Sequence, residues 1–402
     1  AIVLLNQLTG SDGGPRRPQF ERCSVPRPSV ADHVFTCVLR CLASGQWSAD
    51  RPPPGTRRVA AEFGVALASI QRALRRAGQA QLLDVRQRGW SAQLLDVVGV
   101  ARELLPPVLP SAGVAGQLLR SEAWVLGLPA GTPVATGAGD TACSMLGAGV
   151  ISSRRLLVTL STGGQLVLPS KDMTLDLQGR VHTFCSALPA EQLGWYVMGA
   201  TLAAGASLRW LRDRVLALAD EAAYDRMIEW AAGVPPGARG LVFLPYLAGE
   251  RTPHMDAGAR GAFFGLTLTH GQAELVRAVL EGVALSLMDA YGVLQELGAA
   301  PERLVMAGGG ARSRVWQQIV ADAFGMPVSP LVGADQSALG AAILAGASVG
   351  LFDVASAAER WARFGEAVQP NGEAHATYIR LLQLFRRLYA EHRTDFHALA
   401  AL

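Results

Sequence analysis

Two apolar runs in this chain break into glycine and then resume with helical spacing. That pattern constrains the fold more than any other feature. The first run is Pro133-Val134-Ala135-Thr136, followed by Gly137-Ala138-Gly139-Asp140-Thr141-Ala142. The second is Leu304-Val305-Met306, followed by Ala307-Gly308-Gly309-Gly310-Ala311-Arg312-Ser313. A strand that gives way to glycines before a helix exposes backbone N–H groups where a phosphate can reach them. Consecutive glycines also let a ligand lie against backbone where any Cβ would collide. The first break delivers a carboxylate, Asp140. A carboxylate there could accept the proton of a hydroxyl that attacks a phosphoryl group. The alternative is that the residue is only a helix cap, and spacing alone favours that plainer role.

The flanking segments set these breaks in an α/β pattern. Leu156-Leu157-Val158-Thr159-Leu160 and Gln165-Leu166-Val167-Leu168 read as paired strands around Ser161-Thr162-Gly163-Gly164. That turn could wrap phosphate oxygens with N–H and O–H donors, or serve only as a hairpin turn. Leu241–Leu244 and Arg303–Met306 read as buried strands. Long helices are expected over 272–297, 313–325, 336–349 and 373–392. Strands followed by helices on this scale argue for an α/β domain with a partly parallel sheet. The small-residue run Ala338–Gly346 suits tight packing on a strand better than a nucleotide base. In Phe243–His254, Glu250 and Arg251 would tie a loop down by charge, and His254 reads as a loop residue.

At 402 residues, half of them hydrophobic, the chain can hold two or three domains with a large core. A net charge of +3 does not by itself imply nucleic acid. The basic excess is local: Arg51, Arg57, Arg58, Arg72, Arg75 and Arg76 face only Glu62 among acids in that stretch. Five cysteines without a Cys-x-x-Cys pair suit free thiols in a reducing cytoplasm. No uncharged apolar run reaches the ~18 residues of a membrane span. The N-terminus carries neither a signal-peptide pattern nor an initiator Met, so the chain is expected to be a fragment. Residues 1–30 read as linker or disordered arm, and 31–80 as a small basic helical segment.

Residues from about 82 to 392 resemble the FGGY carbohydrate kinases, the bacterial xylulokinases in particular. The resemblance rests on ordered motifs. Gly261-Ala262-Phe263-Phe264-Gly265-Leu266 followed by Glu274–Glu281 looks like the second family signature. Phe243 to Pro253, Gly308 to Trp316, and Leu83-Asp84-Val85-Arg86 through Trp90 to Pro107 fit in the same order. The resemblance implies an actin-like, ribonuclease H-like ATPase lobe over 153–395, the second FGGY domain, with a remnant of the first lobe over 81–152. It implies phosphorylation of a ketopentose such as D-xylulose by ATP with Mg²⁺. Asp140 is then the general base and touches the sugar together with Thr141. Thr162 and Gly163 then meet ATP phosphates, and Gly309, Gly310 and Ser313 lie along the nucleotide.

The chain departs from that family in three places. Thr141 stands where the family usually has an amide, and Ser161-Thr162-Gly163-Gly164 where it usually has Gly-Thr-Ser-Gly. No Asp-x-Gly-Thr strand pair or sugar-holding Met-His segment occurs in residues 1–80. Turnover by this chain alone is therefore expected to be low or absent. Val38–Leu74 instead resembles the winged helix-turn-helix of GntR-type regulators, which would set Arg57, Arg58, Arg72 and Arg75 against DNA phosphates. That makes a sugar- or nucleotide-responsive regulator the alternative reading. The partners these readings name are a ketopentose and ATP, with DNA and a second copy of the chain as further candidates, and no membrane.

Overall fold

A computed structural model of the chain describes residues 82–98, 102–333 and 335–402. The expected arm (1–30) and basic helical segment (31–80), with Arg57, Arg58, Arg72 and Arg75, lie outside the described residues. The chain divides into two compact units, one ending at Val108 and one running from Leu109 to Leu402.

In the first unit, β1 (Leu83–Asp84) and β2 (Gly89–Trp90) form an antiparallel ribbon, and α1 (Ala92–Val98) follows. The turn closes because the Asp84 carboxylate accepts the N–H groups of Arg86 at 2.8 Å and Gln87 at 3.1 Å. Leu82 and Leu95 are buried against Trp90 and Leu105. The Trp90 indole donates to the Pro106 carbonyl at 2.8 Å. The Leu83–Asp84 and Trp90 motif is thus a small folded turn.

The second unit opens with a ribbon of β3 (Val114–Gln117) and β4 (Pro133–Ala135), with α2 (Arg120–Leu126) between them. After β4 the chain enters α3 (Asp140–Gly147). Next come β5 (Arg155–Leu160), β6 (Gly164–Ser170), β7 (His182–Cys185) and β8 (Trp195–Thr201). Helix α4 (Gly205–Trp210) runs on through a π-helical turn to Val215, and α5 (Ala223–Ala232) follows. Among the described residues, strands β9 (Val242–Leu244) and β10 (Ala262–Phe264) pair only with each other. Then come α6 (Gln272–Glu296), β11 (Arg303–Ala307), α7 (Arg314–Phe324), β12 (Val328–Pro330), α8 (Gln336–Ser348), α9 (Val354–Trp361) and α10 (Gly372–Ala400).

The main sheet has the order β12-β11-β5-β6-β8-β7. Strands β12, β11 and β5 are parallel, and β5, β6, β8 and β7 pair antiparallel. Successive residues point to opposite faces, as strand geometry requires. Leu156, Val158, Leu160, Leu304 and Met306 enter one core with α5, α6, α7 and α10. Leu157, Val167, Val305 and Ala307 enter a second core with α3, α8 and α9. Apolar residues on both faces explain why β5 and β11 read as continuous hydrophobic runs.

Helix α6 is apolar nearly all round because sheet, helices and β9 enclose it. It is long and apolar enough to cross a membrane, yet 83% of its apolar window is buried inside the protein. Three of the four long helices end within a residue or so of the expected bounds, whereas α10 continues to Ala400. The expected buried strand at 241–244 forms, but in its own ribbon and not in the main sheet.

Candidate active site

Strands β5, β11 and β12 are parallel, so the segments that follow them leave the sheet at one edge. In an open α/β sheet, this carboxyl edge is where ligands bind. The segments are the hairpin Ser161–Gly163, the turn Gly308–Ser313, and the chain leading into α8.

The hairpin points its carbonyls inward. The Thr162 carbonyl accepts N–H groups of Ala204 and Ala206, both at 3.0 Å, and the Ser161 carbonyl accepts that of Gly205 at 2.8 Å. The N–H groups of Thr162 and Gly163 have no acceptor among the described residues. Thr162 is exposed, and its Oγ1 accepts from the Arg209 guanidinium at 3.3 Å. Glycine is required behind the tip. A Cβ on Gly163 would sit 2.6 Å from the Thr201 carbonyl oxygen, and one on Gly164 2.6 Å from the Thr201 hydroxyl.

The glycine turn lies directly against this hairpin. Gly308 has φ +83°, and a Cβ there would come within 2.5 Å of the Leu160 carbonyl and 2.9 Å of the Ser161 hydroxyl. A Cβ on Gly310 would meet Leu160 at 2.6 Å and Trp316 at 3.2 Å. Of the three, only a Cβ on Gly309 would have nothing within 4 Å among the described residues. A side chain there would meet no neighbouring strand, so the open side is left for a ligand. Ser313 caps α7, its hydroxyl accepting the Trp316 N–H at 3.2 Å. The turn is held from behind by Gln317, whose amide donates to the Ala311 carbonyl at 2.6 Å.

Asp140 is the first residue of α3, and Gly139 occupies the cap position. The plainer cap role therefore does not hold as expected. The exposed Asp140 carboxylate accepts only the Thr141 N–H, at 2.8 Å, among the described residues. Thr141 is half-buried beside it.

Helix α3 is fixed to α8 through reciprocal glycines. A Cβ on Gly147 would overlap the Gln336 carbonyl, and one on Gly340 the Cys143 carbonyl. Ser144 and Ser337 hydroxyls bond at 2.7 Å, and Ser337 also reaches the Asp140 carbonyl at 3.4 Å. The Asp335 carboxylate caps α8 through the N–H groups of Ser337 and Ala338. The small-residue run 338–346 thus packs on a helix, where a strand was expected. That contact fastens the Asp140 turn to the element that follows β12.

The fold adds two features that local sequence does not encode. Arg209 drew no notice because only the fold brings α4 to the hairpin. Glu250 was expected, with Arg251, to tie a loop down by charge. Instead its buried carboxylate accepts the N–H groups of Leu202 at 2.8 Å and Arg251 at 2.7 Å, and the Ser286 hydroxyl at 3.3 Å. Burial pushes its pKa up to about 7 against those hydrogen bonds. The apolar run Phe243–Leu247 before it was the available signal of a buried setting. His254 stacks on Tyr389 with centroids 3.7 Å apart, and its Nε2 lies 3.1 Å from the Tyr246 hydroxyl. The charges of the second signature are structural. Arg277 donates to Glu281 at 2.6 Å, and the Tyr378 hydroxyl donates to the same oxygen at 2.8 Å. Among the described residues no group of three His, Cys, Asp or Glu is placed to hold a metal.

The C-terminal domain of the FGGY family of carbohydrate kinases matches residues 156–349, and its N-terminal domain matches 74–147. The chain is 32% identical over 317 residues to the xylulose kinase of Bacillus subtilis (strain 168), covering 79% of this chain and 62% of that protein. It is 35% identical over 312 residues to the xylulose kinase of Escherichia coli (strain K12), covering 77% and 62%. The crystal structure of xylulose kinase from Rhodospirillum rubrum superposes with a TM-score of 0.75 at 30% identity, covering 90% of this chain and 73% of that one. The chain belongs to the FGGY family of carbohydrate kinases. Its fold is therefore the family's actin-like ATPase fold, as the resemblance implied. The chain spans 62% of the length of both curated relatives. The family match begins at residue 74, so Arg75, expected to face DNA, falls inside the kinase span. The winged-helix resemblance of the N-terminal segment finds no support in these comparisons.

Proposed function

We propose that this chain carries the nucleotide site and catalytic base of an FGGY kinase that transfers phosphate from ATP to a ketopentose such as D-xylulose, in the cytoplasm. The observation that carries this reading is the sheet edge itself. The unpaired N–H groups of Thr162 and Gly163 and the open backbone of Gly309 stand there, with the exposed carboxylate of Asp140 on a helix tied to α8. The first two loops hold phosphates by backbone donors, which need no reorganisation as charge develops. Asp140 accepts the proton of the attacking hydroxyl, and Thr141 lies beside the sugar. Ser313 and Gly310 shape the nucleotide wall. In domain terms, 153–395 is the nucleotide lobe and 81–152 the remnant of the first.

A Mg²⁺ ion that enters on the nucleotide leans on its phosphates and one or two carboxylates, so it needs no protein cage. Such an ion would be held chiefly by the nucleotide phosphates, whose charge it would neutralise, leaving the Asp140 carboxylate to act as the base. We further propose that turnover is low, because no Asp-x-Gly-Thr segment occurs in the 402 residues. The test is ADP release with D-xylulose and ATP, comparing wild type with Asp140→Asn. A slow rate lost in the variant, with ATP affinity kept, is expected. A rate unaffected by the substitution removes Asp140 as the base. Fast turnover abolished by it refutes only the low-activity part.

A further inference from the structure

We propose that Arg209 is the cation of the phosphate cradle, binding the terminal phosphates of the nucleotide and turning the Thr162 hydroxyl toward them. This rests on the nucleotide reading above. The guanidinium reaches Thr162 Oγ1 at 3.3 Å, its one hydrogen bond among the described residues. Among the described residues no carboxylate lies within ion-pair distance of it, although its charge is felt by Asp213, which pairs with Arg212. Its neighbours differ. Arg212 pairs with Asp213 at 2.6 Å and lies over the Tyr224 ring at 4.4 Å, and Arg226 pairs with Asp220 at 2.7 Å. Arg209 is also exposed, so its charge is available to a ligand.

The hydrogen-bond chemistry points the same way. A guanidinium has only donors, so the Thr162 oxygen must accept from it. The hydroxyl hydrogen is then free to donate elsewhere, polarised by the cation behind it. Together with the unpaired N–H groups of Thr162 and Gly163, the hairpin presents four donor groups and one positive charge. A phosphate oxygen cluster satisfies all of them, and a planar fork recognises phosphate better than a point charge does. The hairpin departs from the usual family sequence, and this arginine supplies positive charge from outside it.

Calorimetry with ATP, ADP and adenosine tests this on wild type, Arg209→Gln and Arg209→Lys. Arg209→Gln is expected to weaken ATP about tenfold or more, the scale of a lost hydrogen bond to a charged group. Arg209→Lys should keep part of the affinity, and adenosine should bind all three proteins equally. The ATP affinity of Arg209→Gln should also depend less on salt. Equal ATP binding by wild type and Arg209→Gln overturns the role of Arg209 and leaves the nucleotide site standing. Weakened adenosine binding overturns it too, because Arg209 would then act through the fold. Absence of ATP binding by wild type overturns both readings together. Equal thermal midpoints are expected, since Arg209 is exposed.

Discussion

Replacing Glu250 by glutamine should make the protein more stable at alkaline pH and flatten its pH dependence. The carboxyl is 2% exposed, and burial raises its pKa from 4.5 to about 7. A raised folded-state pKa means that the folded protein binds the proton more tightly than the unfolded chain. Stability from this group is therefore greatest below pH 4.5 and falls as pH rises through 7. Each pKa unit corresponds to about 1.4 kcal/mol, so the whole shift costs about 3 kcal/mol, of which roughly 2–3 kcal/mol develops between pH 5 and pH 8. The charges facing Glu250 include Asp289 on α6, which raises its pKa further. Tyr246 from the same loop also faces it, close enough that the Glu250 charge raises the tyrosine's own pKa. Glutamine keeps the acceptor for Leu202 and Arg251, and its amide can donate to Ser286. Urea unfolding of wild type and Glu250→Gln at pH 5, 6, 7 and 8 measures the difference, in which all other titrations cancel. The variant should match wild type near pH 5 and exceed it by about 2–3 kcal/mol at pH 8. A difference that stays constant from pH 5 to pH 8 would refute the reasoning.

Three further outcomes follow from the packing. Gly309→Val should fold normally but weaken ATP binding, whereas Gly310→Val should lose about 1–3 kcal/mol of stability through its clash with Leu160 and Trp316; thermal melts and calorimetry separate the two. Gly340→Val should cost about 2–3 kcal/mol in urea unfolding, because α8 must move off the Cys143 carbonyl. Arg277→Ala should cost about 3–5 kcal/mol, since it strands the buried Glu281 carboxylate; recovery in the double variant Arg277→Met, Glu281→Leu would show that the charge, not the volume, was responsible.

The sequence by itself determined the elements and which residues stand on the loops between them. Leu156–Leu160 and Arg303–Met306 are short apolar runs that lead into glycine turns, a pattern that fits a buried strand turning sharply at its end. The ordered motifs determined the family, and with it the topology. Asp140 and the Thr162 hairpin were legible because a carboxylate or a glycine turn between periodic segments is a local signal. Partnerships between distant residues were not legible. Glu250 and Arg251 are adjacent in sequence, yet the carboxylate turns to the backbone of Leu202, which β8 brings alongside. Gly340 looked like packing against a strand, and only the crossing of α3 and α8 put it on Cys143. Of three equal-looking glycines, tertiary structure left Gly309 open and set Gly308 and Gly310 against β5. Arg209 carries no motif at all. A side chain's partners are fixed by which backbones the fold brings within a few ångströms, and local spacing does not encode that.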